Sequence, residues 1–225
     1  MLVLGLDTTT AAGSAALVAD GVTIEVAPID PSQPVATRLP GDLAALIEKH
    51  RVALREVSVF AVATGPGSFT GLRIGIATMQ GLAVATGKPL IGVSSFDALA
   101  TFADAPRVAV WIDAWRGEVY AAIYAVSGAA SEDAALHQIC EPVVAPPDTV
   151  LRGAADSATV FIGDAAVKYR DLLAPRRVIE PTPLIAGVVA QIASGRFARG
   201  EAPPPHAIRP LYVRRPDAEL ARDRR

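Results

Sequence analysis

The chain has 225 residues, 51% of them apolar, which excludes a disordered protein and suits one large domain or two small ones with a proper core. Its 21 basic and 23 acidic residues nearly cancel; the net charge of -2 excludes a global pull toward nucleic acid while leaving room for a local basic patch. The single cysteine, Cys140, excludes an internal disulfide and fits a reducing, cytoplasmic setting.

Residues 2–6 form an apolar run closed by Asp7 and three threonines. No basic residue precedes it, so it reads as a first strand and not as a signal peptide. Two further strands, 14–19 and 22–27, flank Asp20-Gly21, a strong hairpin signal, and the opening becomes a three-strand antiparallel meander. A loop with three prolines follows at 28–34. Leu39, Leu43, Leu46 and Ile47 then share a face at helical spacing, predicting a helix over 39–50. Residues 57–63 read as a buried parallel strand, 64–71 as a glycine-rich turn, and 72–85 as a helix ended by Gly87-Lys88-Pro89. That helix, at well under about 20 apolar residues, is a buried helix and not a membrane span. A strand at 90–93 and a helix at 94–103 complete the first region. The second opens with strands at 107–112 and 118–126, a small polar stretch at 127–133 expected to be flexible, and a strand at 160–162. Helices at 165–173 and 182–194 follow, then a proline-rich stretch and an extended segment at 208–213. The expected organisation is α/β, with an N-terminal lobe over 1–103 and a C-terminal lobe with a basic tail over 104–225.

The most specific local feature is the turn Gly65-Pro66-Gly67-Ser68-Phe69-Thr70-Gly71 between a strand and a helix. Its glycines permit backbone angles or close approaches closed to other residues, and Ser68 or Thr70 can cap the helix, whose free amides can hold an anion. No lysine follows as a Walker A motif demands, and the spacing is not that of a dinucleotide fingerprint. A structural turn, an interface loop and a ligand cradle all stay open. Asp7 with Thr8, Thr9 and Thr10 can hold water-bound Mg²⁺ and phosphate oxygens, or can simply cap a hairpin. Asp7, Thr8, Thr9, Gly65, Gly67 and Ser68 are therefore the candidate nucleotide contacts. Asp113 and Glu118 suit a metal or an acid–base pair, while Arg116 between them suits a salt-bridged turn. Trp111 and Trp115, four apart in an extended segment, would share a face, one of them as an interface anchor. His50, His137 and His206 are isolated from one another and from Cys140, so no metal site and no catalytic residue is assigned. Arg214 and Arg215 belong to a tail holding six arginines against three acids from residue 207 onward, a candidate RNA contact.

The segment TGPGSFTGLRIGIATM at 64–79 resembles the signature of the bacterial TsaB (YeaZ) family. LGLDTTT, IGVSSFDALA, IDAWRGEVYAAIY, FIGDAAVKY and RPLYVR resemble further elements of that family in the same order, across nearly the whole chain. The resemblance implies a reduced actin-like ATPase fold, Hsp70/sugar-kinase-like and ribonuclease H-like, with two similar lobes. It implies a non-catalytic paralogue of TsaD, the subunit that carries the metal and nucleotide site and modifies adenosine 37 of tRNAs reading ANN codons. TsaD as heterodimer partner, the ATPase TsaE, tRNA through the complex, a homodimer when isolated, and ATP or ADP only within the complex are the expected associations. The absence of a TsaD-like HxxxH pair agrees with this. Gly71, Ile74, Gly75, Thr78, Met79 and Leu82 are the expected partner-facing residues. Where the family often carries an HSExLLP-like element, residues 34–40 read PVATRLP, and Trp115 stands where arginine is frequent.

Overall fold

The computed structural model describes residues 1–10, 13–29, 33–127, 135–153, 156–180 and 183–214. The elements follow the chain as β1 (Leu2–Asp7), β2 (Ser14–Ala19), β3 (Val22–Pro28), α1 (Val35–Lys49), β4 (Val59–Ala63), α2 (Phe69–Thr86), β5 (Leu90–Val93) and α3 (Ser95–Ala100). There follow β6 (Arg107–Asp113), β7 (Val119–Ser127), β8 (Ala135–Gln138), β9 (Val143–Ala145), α4 (Pro147–Gly153), β10 (Val160–Ile162), α5 (Asp164–Lys168), α6 (Arg170–Leu173) and α7 (Ala186–Ala198).

The chain divides into two units, one of residues 1–102 and 182–210, the other of residues 103–181 and 211–225. In the first, the strand order is β3-β2-β1-β4-β5. The meander β1–β2–β3 is antiparallel, while β4 pairs in parallel with both β1 and β5. Alternate strand residues Leu4, Leu6, Leu17, Phe60 and Val62 form a core with Leu39, Leu43 and Leu46 of α1 and Leu72, Ile76 and Met79 of α2. The α2 boundaries have local causes. The Ser68 side chain accepts from the Gly71 N–H at the start, and Gly87 at φ 66° takes the left-handed C-cap, where a side chain would be strained.

Helix α7 packs against β1, β2 and β4. The first-lobe expectation of 1–103 therefore needs 182–210 added, and the second-lobe expectation of 104–225 loses the same segment. Gly5 is the physical reason: a Cβ there would meet Ala190 Cβ at 2.9 Å, so only glycine lets α7 approach the strand.

The second sheet has the order β10-β6-β7-β8, with β9 also pairing β7. Its core gathers Trp111, Val119, Ala121, Phe161 and Leu173, with Trp111 and Phe161 edge to face at 5.3 Å between ring centres. Each unit is α/β, as expected, and the strand orders of the two sheets are related.

Several boundaries differ from those expected. Helix α1 starts at Val35 and runs through Pro40, whose fixed φ suits a helix at the loss of one backbone hydrogen bond. The single helix expected at 165–173 is two, α5 and α6, meeting at Tyr169. Strands β8 and β9, of four and three residues, and the seven-residue helix α4 were not expected, because such short runs carry too little periodicity to read. Of the expected flexible stretch 127–133, all but Ser127 lies outside the described residues, as does Arg215.

Candidate functional site

Asp7 ends β1 fully buried. Its Oδ1 accepts the Thr9 N–H at 2.8 Å and the Thr9 hydroxyl at 2.6 Å, and its Oδ2 accepts the Thr10 hydroxyl at 2.8 Å. Burial pushes the carboxyl above its ordinary value of 3.8, against the opposing pull of these amide and hydroxyl donors. The Thr9 hydroxyl also meets the Ser95 hydroxyl at 2.9 Å, and the Ser95 N–H donates to the Gly65 carbonyl at 2.8 Å. Asp7, Thr9, Ser95 and Gly65 thus form one buried chain of hydrogen bonds joining three loops.

The glycine turn lies directly on the threonine turn. The Ser68 N–H donates to the Thr9 carbonyl at 2.8 Å, and the Thr8 hydroxyl donates to the Gly71 carbonyl at 2.7 Å. A Cβ at Gly67 would overlap the Thr9 carbonyl; at Gly71 and Gly75 it would overlap the Thr8 carbonyl and hydroxyl. These glycines serve close contact within the chain. Of the candidate nucleotide contacts, Asp7, Thr8, Thr9, Gly65, Gly67 and Ser68 are brought together, but Thr8, Thr9 and Asp7 face one another and the glycine turn in a bonded, buried knot.

Helix α2 has two faces. Gly71, Gly75 and Met79 are buried against the sheet side, which corrects their expected outward role: the Thr8 turn and the core occupy that face. Ile74, Thr78 and Leu82 are half-buried along one flank. The outer face carries Phe69, Thr70, Arg73, Ala77, Gly81, Val84 and Ala85, all exposed. Arg73 stacks over the Phe69 ring at 3.8 Å and is the only charged residue between Phe69 and Thr86. Between α1 and α2 runs an apolar groove of about 540 Å³, lined by Pro40, Leu43, Ile47, Leu54, Ala77 and Leu82 among others.

In the second unit, Asp113 ends β6. Its Oδ1 accepts the Trp115 N–H at 3.0 Å and its Oδ2 pairs with Lys168 at 2.8 Å; its own N–H donates to Asp164 at 2.9 Å. Burial pushes the Asp164 carboxyl above its ordinary value, opposed by the N–H groups of Asp113 and Ala165. The turn is salt-bridged, but through Lys168 of α5 where Arg116 was the cation expected. Glu118 pairs with Arg214, whose guanidinium also donates to the Ala114 carbonyl at 3.0 Å. Arg214, the candidate RNA contact, is thereby anchored to the turn of its own unit. Trp111 is fully buried while Trp115 is 51% exposed. They do not share a strand face, because the backbone turns left-handed at Trp115, with φ 56°. Cys140 is exposed. Among the described residues no group of three or more His, Cys, Asp and Glu side chains could hold a metal ion. Among the same residues no helix is long and apolar enough to cross a membrane.

The family model described as TsaD, tRNA N6-adenosine threonylcarbamoyltransferase, matches residues 25–172. The structure of YeaZ from Pseudomonas aeruginosa superposes with a TM-score of 0.76 at 30% identity, covering 94% of this chain and 100% of that one. The chain belongs to the TsaB/YeaZ-type family. The Escherichia coli K12 tRNA threonylcarbamoyladenosine biosynthesis protein TsaB is 38% identical over 131 residues, 55% of this chain and 55% of that protein. A Mycobacterium leprae protein is 35% identical over 223 residues, 97% of this chain but 56% of its own length. The matches thus span about half the length of these two curated relatives.

For a TsaB/YeaZ-type chain, the glycine signature is the motif most legible in sequence, and its structural reason is the threonine turn beneath it. Sequence reasoning missed the exposed half of the same helix, Phe69, Arg73, Ala77, Gly81 and Val84. The signal available was the long interval without charge after Arg73, which a wholly buried helix would share. It also missed Pro40 as a wall of the groove.

Proposed function

We propose that this chain is a non-catalytic accessory subunit that docks its TsaD-type paralogue through the α1–α2 face of the first unit. It acts in forming N6-threonylcarbamoyladenosine at position 37 of tRNAs reading ANN codons. The observation that carries the reading is the contrast across α2. On the inner side, the buried Asp7 carboxylate accepts bonds from the Thr9 amide and from the Thr9 and Thr10 hydroxyls. On the outer side, a helix face with one charge adjoins an open apolar groove. Such a face suits a helix partner, because Ala77 and Gly81 let another backbone come close. The naming of the E. coli relative as a threonylcarbamoyladenosine biosynthesis protein supports the pathway.

In this reading the TsaE-type ATPase and tRNA join through the complex, ATP or ADP is held only there, and the isolated chain self-associates through the same face. Gly75 is unsuited to testing it, since any side chain there would strike Thr8. Ala77→Arg, at an exposed position, is suited. The variant should keep the wild-type Tm, bind the purified paralogue about tenfold more weakly or worse by calorimetry, and lower tRNA modification in the reconstituted system. Full-rate modification with this chain omitted would overturn the proposal. Chemistry by the lone chain, such as ATP turnover lost in Asp7→Asn, would favour an enzyme instead.

A further inference from the structure

Beside the apolar groove, the first unit has a second concavity of different chemistry. The chain returns after α7 through a short 3-10 turn at Pro205–Ala207 and crosses the C-terminal half of α2. Gln80 fixes this strap by donating to the Pro205 carbonyl at 2.9 Å and the Ile208 carbonyl at 3.2 Å. Ile208 is buried in the core, and a Cβ at Gly92 would meet its Cγ2 at 3.2 Å. With the strap held at both points, the polar side chains it leaves on the surface are His206 and Arg209, both exposed.

Together with Gln80, Gly81, Val84 and Ala85 they line a notch of about 510 Å³. No acidic side chain lines it, and Arg209 has no ion pair among the described residues. Val84 is 72% exposed, so the floor is apolar and open. Gly81 lines both this notch and the α1–α2 groove, so the two adjoin at a residue with no side chain.

We infer that the notch receives a carboxylate side chain, aspartate or glutamate, from the partner helix that lies along α2. Arg209 supplies the counter-charge, the His206 ring a further polar contact, and the apolar floor packs the methylene stem. The inference rests on the reading of α2 as the docking face and adds the chemistry that sets the partner's register. A solvent-facing pair of this kind governs recognition and encounter more than bulk affinity, and weakens as salt rises.

The test measures binding of the purified TsaD-type paralogue, without tRNA, to wild type, Arg209→Glu, Arg209→Gln and Ala77→Arg at low and high salt. Arg209→Glu should bind about tenfold more weakly at low salt and Arg209→Gln a few-fold, each with unchanged Tm, and both should lose most of the wild-type salt dependence. If Ala77→Arg abolishes binding while both Arg209 variants bind as wild type, the notch inference fails and the docking face stands. If Ala77→Arg is also silent, the docking reading itself fails. A loss at Arg209 confined to tRNA binding by the assembled complex would assign the notch to a phosphate and overturn the carboxylate. Should the Arg209→Glu variant misfold, Arg209→Gln and the wild-type salt slope decide alone.

Discussion

The two sheets repeat one plan with different outcomes. Strands β1, β2, β3 and β4 of the first unit correspond in order and direction to β6, β7, β8 and β10 of the second. In each, the first strand ends at an aspartate, Asp7 or Asp113, and a glycine after the fourth strand, Gly67 or Gly163, lies against a backbone carbonyl near that end. The first unit then extends an 18-residue helix, α2, where the second has the 5-residue α5. Asp7 is sealed among threonines, whereas Asp113 is partly open and paired with Lys168. The comparison teaches that a shared backbone scheme can hold a strand-end carboxylate either by burial and neutral donors or by a surface cation. Only the unit that buries it has the long helix with a free outer face.

The largest expected effect tests whether the shared scheme is real. Gly67→Ala would force a methyl into the Thr9 carbonyl, and Gly163→Ala would do the same to the Trp111 carbonyl. Both obstacles are backbone, which cannot rotate away. Each variant should lose about 3 kcal/mol of stability in urea denaturation. Gly21→Ala, with open space around it, controls for the cost of a positive φ alone. A loss under about 1 kcal/mol at either glycine would break the equivalence of the two turns.

This asymmetry between inside and outside also explains what could be read from sequence. The glycine turn was legible because glycine, proline and serine act locally, through dihedral freedom and capping. The role of α7 was not, because a helix of mostly small and apolar residues does not state which sheet it covers. Its one trace was Gly5 inside an apolar strand, a mark of close backbone approach. The faces of α2 were equally hidden: glycine and alanine occur on both, and only the position of Thr8 shows that Gly71 and Gly75 point inward. Arg214 read as a free tail cation because its partners, Ala114 and Glu118, lie 100 and 96 residues away.

The next effect separates the two aspartates. Asp7→Ala leaves two buried donors, the Thr9 N–H and hydroxyl, and the part-buried Thr10 hydroxyl without their acceptor, and should cost about 3 kcal/mol. Asp113→Ala breaks a pair whose lysine is half-exposed, together with one turn hydrogen bond, and should cost about 1 kcal/mol. Equal losses in thermal or urea unfolding would show that burial does not distinguish the turns.

The smallest effect concerns charge alone. Burial raises the folded-state values of Asp7 in the first unit and Asp164 in the second. A carboxyl that binds its proton more tightly when folded favours the fold most while protonated. Wild-type stability should therefore decline as pH rises from about 3.8 through each folded-state value. Asp7→Asn and Asp164→Asn keep a carbonyl acceptor and remove the titration, so each should flatten its share of that decline, lying within about 1 kcal/mol of wild type below about pH 3.8 and gaining on it above. Urea midpoints taken across the acid range give the sign directly. A wild type that instead gains stability relative to Asp7→Asn as pH rises would mean that the threonine donors outweigh burial, and that the knot beneath α2 is built to hold a charge.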